Sequence, residues 1–263
     1  MKDLIYFEIE KTNPRIANLF LNRPDKMNAF SGDMISQLLE NLGELAQLAN
    51  KGEISCLIVR TTQSKSFCAG ADLSERIKMN SSEVSQTLAL QRKVMDSLAQ
   101  LSCPTIAAIQ GLAFGGGLEL ALCCDLRIAS KNALLGLTES RLAIIPGAGG
   151  TQRLARIVGL AKAKQFIFRG QKLNSTDALE NGLINAESEN ADRTALEWAT
   201  EIVSGGPIAL KAAKAAIDGG WNLEISKALD FERTCYEKVL NTVDRIEGLK
   251  AFSEKRTPKY EGR

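Results

Sequence analysis

The amino-acid sequence predicts an α/β protein, and three observations support this. Runs of β-branched and apolar residues with the length of strands recur along the first half of the chain. Amphipathic stretches with a helical period separate these runs, which is the alternation found in α/β folds. The 263 residues, 44% of them hydrophobic, are enough to bury a large core in one or two domains.

The elements follow in order from these patterns. Strands are predicted over residues 4–9, 16–21, 54–60, 105–110 and 126–129. Long helices are predicted over residues 31–50 and 82–101, with shorter ones over 118–124 and from about residue 151. From about Thr194 the pattern is helical throughout, with breaks at Gly205-Gly206-Pro207 and Gly219-Gly220. We therefore expect a core over residues 1–193 that carries the active site and a helical region over 194–263.

Charge and composition exclude several classes of function. The net charge is only +2, with 33 basic and 31 acidic residues, so no general attraction to nucleic acid or to a membrane surface is expected. The apolar stretches are too short to span a membrane. Histidine is absent, which excludes histidine triads, histidine metal ligands and a histidine general base. Carboxylates are therefore the natural acid–base candidates, and no metal is expected.

The cysteines and the N-terminus bear on the compartment. The six cysteines show no C-x-x-C spacing and lie mostly among apolar neighbours, which indicates buried free thiols in a reducing compartment. A strand-like run begins at Leu4 and leaves no room for a signal or transit peptide. We expect a cytoplasmic protein, although a mitochondrial matrix protein with its transit peptide removed would give the same pattern.

Two glycine-containing turns are candidates for binding an anion. Gly115-Gly116-Gly117 follows the apolar run 105–109 and precedes a predicted helix, whose N-terminal N–H groups favour negative charge. A second turn around Gly70 follows the predicted strand 54–60. Two N–H donors that face one carbonyl oxygen would form an oxyanion hole, in which each donor contributes roughly 2.7 to 4 kcal/mol to transition-state stabilisation. Taken alone, a glycine triplet before a helix is more often an ordinary tight turn, and only the two turns and the two glutamates together favour a site.

Two glutamates are the candidates for proton transfer. Glu119 follows the three glycines directly, and Glu139 lies before the apolar run 142–146. Taken alone, Glu139 would be read as a solvated loop carboxylate, because charged residues are mostly exposed. The turn at 147–150 lacks the lysine and the spacing of a phosphate-binding loop, so we interpret it as the start of the helix near residue 151.

Three segments carry a resemblance to a known family. They are S-F-C-A-G-A-D-L at 66–73, P-T-I-A-A-I-Q-G-L-A-F-G-G-G-L-E-L-A-L-C-C-D-L-R-I-A at 104–129 and G-L-T-E-S-R-L-A-I-I-P-G-A-G-G-T-Q-R-L at 136–154. Across essentially its whole length the chain resembles the crotonase (enoyl-CoA hydratase/isomerase) superfamily, and within it the methylglutaconyl-CoA hydratase-like branch. The resemblance implies a spiral of repeated ββα units and a C-terminal helical region that forms trimers, which usually pair into hexamers.

The resemblance also implies a role for each candidate residue. Glu119 and Glu139 match the two catalytic carboxylates of hydratases, and the backbones of Ala69 and Gly116 match the oxyanion hole. The thioester and its pantetheine arm would run along Ala69, Gly70, Ala71 and Asp72. Lys26 and Ala29 match the loop that contacts the nucleotide end of CoA, where Arg23 and Lys26 would offer positive charge to phosphates. No cofactor is implied, because CoA is part of the substrate.

Retention of both carboxylates favours hydration of a short or branched 2-enoyl-CoA. Water addition needs one group to activate water and another to protonate the α-carbon. We assign the first role to Glu119 and the second to Glu139, with the reverse assignment open because the two titrate as a pair. An isomerase that moves a proton with one glutamate remains an alternative. So does a CoA-binding or RNA-interacting protein whose catalytic role is secondary.

A carboxylated acyl group is one hypothesis for the substrate. Arg141 lies close to Glu139 in the sequence and would meet a substrate carboxylate such as that of methylglutaconyl-CoA, although a surface salt bridge explains it equally well.

RNA binding is a testable expectation of the resemblance. Some members of the branch bind AU-rich RNA and carry a row of lysines on the first long helix, whereas the matching positions here are Gly32, Ser36 and Glu40. A surface that tracks phosphates needs several cations on one face. We therefore predict weak or no binding of AU-rich RNA. A tight, salt-dependent complex at physiological ionic strength in a filter-binding assay would contradict this.

Overall fold

The computed structural model describes residues 3–63 and 65–263 of the chain. The strands are β1 (Ile5–Ile9), β2 (Ile16–Leu21), β3 (Cys56–Thr61), β4 (Ser66–Cys68), β5 (Thr105–Ile109), β6 (Leu112–Phe114), β7 (Leu126–Ser130), β8 (Leu134–Gly136), β9 (Leu173–Asn174) and β10 (Ala186–Ser188). The α-helices are α1 (Gly32–Lys51), α2 (Leu73–Arg76), α3 (Ser81–Ala99), α4 (Gly116–Ala121), α5 (Gly150–Val158), α6 (Leu160–Phe168), α7 (Ser175–Glu180), α8 (Ala191–Ile202), α9 (Pro207–Gly220), α10 (Ile225–Leu240) and α11 (Val243–Ser253).

The five strands that the sequence predicts belong to one six-stranded sheet with the order β1-β2-β3-β5-β7-β10. β1 runs antiparallel to β2, and the other neighbouring pairs are parallel. Along β3, Cys56 and Ile58 belong to the buried cluster that includes α8, whereas Leu57 and Val59 belong to the cluster that includes α1 and α3. Both faces of the sheet are therefore buried, which explains why its strands read as continuous apolar runs.

A second sheet has the order β4-β6-β8-β9, and its strands alternate along the chain with those of the first sheet. The chain passes from β3 to β4, from β5 to β6 and from β7 to β8, with helices in between. Each of these three turns thus contributes one strand to each sheet and then helical chain. This is the spiral of ββα units that the sequence resemblance implies, and it confirms the predicted fold class.

The second sheet brings the functional segments together. β4, β6 and β8 are parallel neighbours, so the chain that follows each strand emerges at the same edge of the sheet. Helix α4 follows β6 and packs closely against the end of β4. A Cβ atom at Gly117 would lie 2.1 Å from the carbonyl oxygen of Cys68, so glycine is required at this contact.

The C-terminal helices divide into two groups. Helix α8 packs on the six-stranded sheet through Ala191, Ala195 and Ala199, which are fully buried. The predicted boundary at residue 194 falls inside α8, so the helices that lie beyond the sheet begin with α9 at Pro207. An ion pair between Lys214 and Asp125 ties α9 to the core.

None of the helices in the described ranges has both the length and the apolar composition needed to cross a membrane.

Candidate active site

A cavity of about 660 Å³ lies at the edge where the three parallel strands of the second sheet end. Its lining includes the turn after β4, the N-terminus of α4 and the turn after β8, together with one face of α3. A larger cavity of about 870 Å³ lies between α9 and the end of α4, but its carboxylates Asp125 and Asp218 are both ion-paired with Lys214. The smaller cavity is therefore the one with carboxylates available for chemistry.

Glu119 projects from the first turn of α4 and is only 3% exposed. Its Oε1 accepts hydrogen bonds from the backbone N–H groups of Ala148 (2.8 Å) and Gly150 (2.7 Å). Burial raises the pKa of Glu119, while these two donors and the nearby Arg153 guanidinium act in the opposite direction. The carboxylate is thus fixed in place with Oε1 occupied, and no group within residues 3–63 and 65–263 donates to Oε2.

Glu139 opens a short 3-10 turn, Glu139–Leu142, shortly after β8. Its Oε2 is buried and has no hydrogen-bond partner in the described part of the chain. Burial and, to a lesser extent, the charge of Glu119 together raise the pKa of Glu139 to about 7, while a backbone hydrogen bond acts in the opposite direction. A Cβ at Gly115, where φ is +49°, would lie 3.0 Å from Glu139 Oε1, so this glycine makes room for the carboxylate. Glu139 is suited to carry a proton near neutral pH.

The N-terminus of α4 supplies one backbone donor to the cavity. Gly116 is the first residue of the helix and no side chain caps it, so its N–H lacks an intrahelical acceptor. Gly70, at φ +96°, lies against this N-terminus, because a Cβ at Gly70 would be 3.4 Å from the Gly116 nitrogen. The chain segments around Gly70 and Gly116 therefore meet, as the sequence predicts.

The structure corrects the second predicted donor. The N–H of Ala69 donates to the carbonyl oxygen of Met27 at 3.0 Å, so it is not available to a thioester oxygen. Phe30 donates to the Gly70 carbonyl, and the N–H of Asp72 donates to Phe30. Ala71 lies between these two bonds, and its N–H therefore points to the side of the chain away from Phe30. Ala71 lines the cavity, and its N–H has no acceptor within the described ranges.

The predicted CoA contacts lie around the same turn, in part with another role. Arg23 Nη1 donates to the Asp72 carboxylate and to the Ala29 carbonyl, both at 2.8 Å, so the guanidinium joins the two loops. Hydrogen bonds from Ser74 and Arg23 lower the pKa of Asp72 to about 2. Lys26 is exposed on the neighbouring 3-10 turn. Neither Lys26 nor Ala29 lines the cavity.

Two cationic residues in the cavity were missed by the sequence analysis. Arg76 and Lys172 both line it, and neither forms an ion pair with any carboxylate of residues 3–63 and 65–263. Arg141 does not line the cavity, and its guanidinium donates to the Arg169 carbonyl at 2.6 Å. The local sequence around Arg76 or Lys172 does not indicate a role in the site, because the two residues come from segments almost a hundred residues apart and meet only in the folded chain.

The comparisons with known proteins agree with this geometry. The family described as Enoyl-CoA hydratase/isomerase matches residues 11–263. The chain belongs to this family.

Several similar proteins align with nearly the whole length of this chain. A mouse protein named "Methylglutaconyl-CoA hydratase, mitochondrial" is 44% identical over 260 residues, which is 97% of this chain and 82% of the mouse protein. Mouse "Enoyl-CoA hydratase domain-containing protein 2, mitochondrial" is 44% identical over 257 residues, covering 95% and 86%. The crystal structure of an enoyl-CoA hydratase from Bacillus anthracis superposes with a TM-score of 0.94 at 42% identity, covering 99% of this chain and all of that one. The protein is an enzyme of the enoyl-CoA hydratase/isomerase family.

The raised pKa of Glu139 predicts a pH-dependent effect on stability. The carboxyl binds its proton more tightly in the folded state, where its pKa is about 7, than in the unfolded chain, where it has the ordinary glutamate pKa, so its contribution to stability is lost as the pH rises through about 7. Glu139→Gln removes this loss. We expect the Tm of the variant minus that of the wild type to be larger at pH 8 than at pH 5, measured by calorimetry.

The control for that measurement is Glu44→Gln, which changes an exposed carboxylate on α1. A Tm difference for Glu139→Gln that is the same at both pH values would contradict the raised pKa.

Proposed function

We propose that the enzyme adds water across the 2,3 double bond of a short or branched 2-enoyl-CoA. One observation carries the proposal: two carboxylates in unlike environments, Glu119 and Glu139, line one cavity with the backbone N–H groups of Ala71 and Gly116, which have no acceptor in the described part of the chain. Groups of this kind provide a base, an acid and a site for the charge that forms on the thioester oxygen.

The thioester carbonyl binds between the N–H groups of Ala71 and Gly116. As hydroxide adds to the β-carbon, the electrons of the double bond move toward the carbonyl and the oxygen gains enolate charge. The two donors are fixed by the fold before the reaction starts, so they need no reorganisation to stabilise that charge. The pair differs from the one first expected only in that Ala71 replaces Ala69.

The two glutamates divide the proton transfers. Glu119, anchored through Oε1, uses Oε2 to accept a proton from water while the water oxygen bonds to the β-carbon. Glu139, protonated near neutral pH, gives its proton to the α-carbon and neutralises the enolate. One proton is gained by Glu119 and one is lost by Glu139, and exchange with solvent resets the pair. The addition involves no net oxidation or reduction, so we propose that it needs no cofactor beyond the CoA of the substrate.

Kinetics of the two glutamine variants test this scheme. Glu119→Gln and Glu139→Gln keep the shape of each side chain but remove its capacity to transfer the proton, so we expect kcat to fall by several orders of magnitude with KM little changed. The measurement is the loss of conjugated enoyl-thioester absorbance from crotonyl-CoA. Near-normal turnover by either variant would refute the scheme.

Product analysis distinguishes the isomerase alternative. A hydratase converts crotonyl-CoA to 3-hydroxybutyryl-CoA, whereas an isomerase that uses one glutamate interconverts 2-enoyl and 3-enoyl thioesters without adding water. Double-bond migration without a hydrated product would replace the proposed function by isomerisation.

A second candidate is that the acyl group carries a carboxylate, as in methylglutaconyl-CoA. The cations Arg76 and Lys172 in the cavity favour it, since neither has an ion-pair partner among the described residues. Arg76 has one long contact, 3.5 Å from Nη1 to the Val84 carbonyl, and Lys172 Nζ lies 5.1 Å from the centre of the Phe114 ring. Both side chains therefore have hydrogen-bonding capacity left for a substrate carboxylate.

Substrate selectivity of the methionine variants tests this candidate. We expect Arg76→Met and Lys172→Met each to lower kcat/KM for 3-methylglutaconyl-CoA by about 10- to 100-fold relative to crotonyl-CoA, since a hydrogen bond to a charged group contributes about 1.5 to 3 kcal/mol. Lys164→Met, which changes an exposed lysine on α6, is the control. Equal losses with both substrates would contradict the candidate and assign the cations to the CoA moiety.

We also propose that the enzyme is a homotrimer or a hexamer of paired trimers. Helices α9 to α11 expose large apolar side chains, among them Ile217 (69% exposed), Trp221 (65%) and Phe252 (87%). Large apolar side chains exposed in this number on one region of the chain support an interface there. We expect light scattering to give the mass of three or six chains for the wild type and a smaller mass for Trp221→Glu. A monomeric wild type at micromolar concentration would contradict the proposal.

A further inference from the structure

The turn at residues 147–150 determines where the Glu119 carboxylate lies. Its Ala148 and Gly150 N–H groups are the two donors to Glu119 Oε1. The turn comes from the segment between β8 and α5, whereas Glu119 comes from α4, so the position of the carboxylate depends on a second, separate piece of chain. Movement of the turn would release Oε1 and let the carboxylate rotate away from the water that it activates.

Arg153, near the start of α5, forms a hydrogen bond to the turn at 147–150 on the side away from Glu119. Its Nη1 donates to the Ala148 carbonyl at 3.2 Å, and its Nη2 donates to Asp96 Oδ1 on α3 at 2.9 Å. Asp96 also accepts from Arg92 through Oδ2, at 2.8 Å. A chain of contacts therefore runs from α3 through the Arg153 guanidinium and Ala148 to the Glu119 carboxylate.

The two glycines of the turn make these contacts possible. A Cβ at Gly149, where φ is +108°, would lie 2.2 Å from Arg153 Nη1, so a side chain there would displace the guanidinium. A Cβ at Gly150 would lie 2.9 Å from both Cγ and Oε1 of Glu119. Gly149 thus leaves room for the Arg153 guanidinium, and Gly150 leaves room for the Glu119 carboxylate on the other side of the same turn.

We infer that Arg153, held by Asp96, is a positioning residue for the reaction: it fixes the turn at 147–150 and thereby the orientation of the Glu119 carboxylate. The inference rests on the proposed function, in which Glu119 activates water. Arg153 does not line the cavity, so it acts through the turn rather than on the substrate. Substrate binding should therefore depend on it much less than turnover does.

The charges around Glu119 provide a readout that a purely structural role would not affect. Arg153 on α5 is a cation that favours the ionised form of Glu119. Among the described residues, two further titratable groups interact electrostatically with Glu119. They are Glu139, from the turn after β8, and Cys123, in the turn that follows α4. Loss of the guanidinium removes the cation and loosens the two N–H donors, and both changes raise the pKa of Glu119. The acid limb of the kcat/KM profile should then move to higher pH.

The test compares Arg153→Met, Arg153→Lys and Asp96→Asn with the wild type in hydration of crotonyl-CoA. For Arg153→Met we expect kcat to fall roughly 10- to 100-fold, the scale of a misplacement of about 1 Å, with KM changed less than threefold and the acid limb shifted upward. Arg153→Lys keeps the charge but cannot span both acceptors, so it should lose kcat with a smaller shift of the limb. Asp96→Asn should fall between the wild type and Arg153→Met.

The control is Arg156→Met, which changes an exposed arginine on the same helix whose hydrogen bonds within the described ranges go to Gln152 alone. Hydrogen exchange of the backbone N–H groups at 148 and 150 gives a readout independent of activity: it should accelerate in Arg153→Met and not in Arg156→Met. If the wild type does not hydrate crotonyl-CoA, the proposed function fails and the exchange data still test the contact. Unchanged exchange, or kcat within twofold of the wild type in folded Arg153→Met or Asp96→Asn, would overturn the inference.

Discussion

The hydrogen bonds from Ala148 and Gly150 to Glu119 Oε1 are the interaction on which the site depends. A buried carboxylate is costly unless its charge is compensated, and two N–H donors together with a nearby guanidinium provide that compensation. The same bonds join α4 to the segment before α5, so the group proposed to activate water also connects two turns of the spiral. The requirement for glycine at 150 follows directly, because a Cβ there would collide with the carboxylate.

Two chemically identical side chains become different reagents because their partners differ. Glu119 has donors for one oxygen, whereas Glu139 has a buried oxygen with none in the described part of the chain, and its pKa rises to about 7. Unlike environments of this kind are what a pair of carboxylates needs if one is to act as an acid and the other as a base. The close packing of α4 on β4 at Gly117 supports this arrangement, because it brings the two backbone donors to the same cavity.

The sequence predicted the parts of the fold that have a clear period. Five strands of the six-stranded sheet and the long helices α1 and α3 were predicted within about two residues, because buried parallel strands and amphipathic helices have distinct patterns, whereas β10 was not predicted. The second sheet was missed, since strands such as Ser66–Cys68 are too short to show alternation. The sequence correctly indicated that the glycine turns would meet. It could not show which N–H faces the cavity, because that depends on Ala69 pairing with Met27 and on Phe30 pairing around Ala71.

The pH profile of kcat/KM for hydration of crotonyl-CoA by the wild-type enzyme tests the account most directly, because this quantity reports the ionisation of groups in the free enzyme. We expect formation of 3-hydroxybutyryl-CoA, with kcat/KM decreasing as the pH rises through about 7, where Glu139 loses its proton. Absence of a hydrated product, or a rate that stays constant well above that pH, would contradict the assignment of Glu139 as the acid that completes water addition.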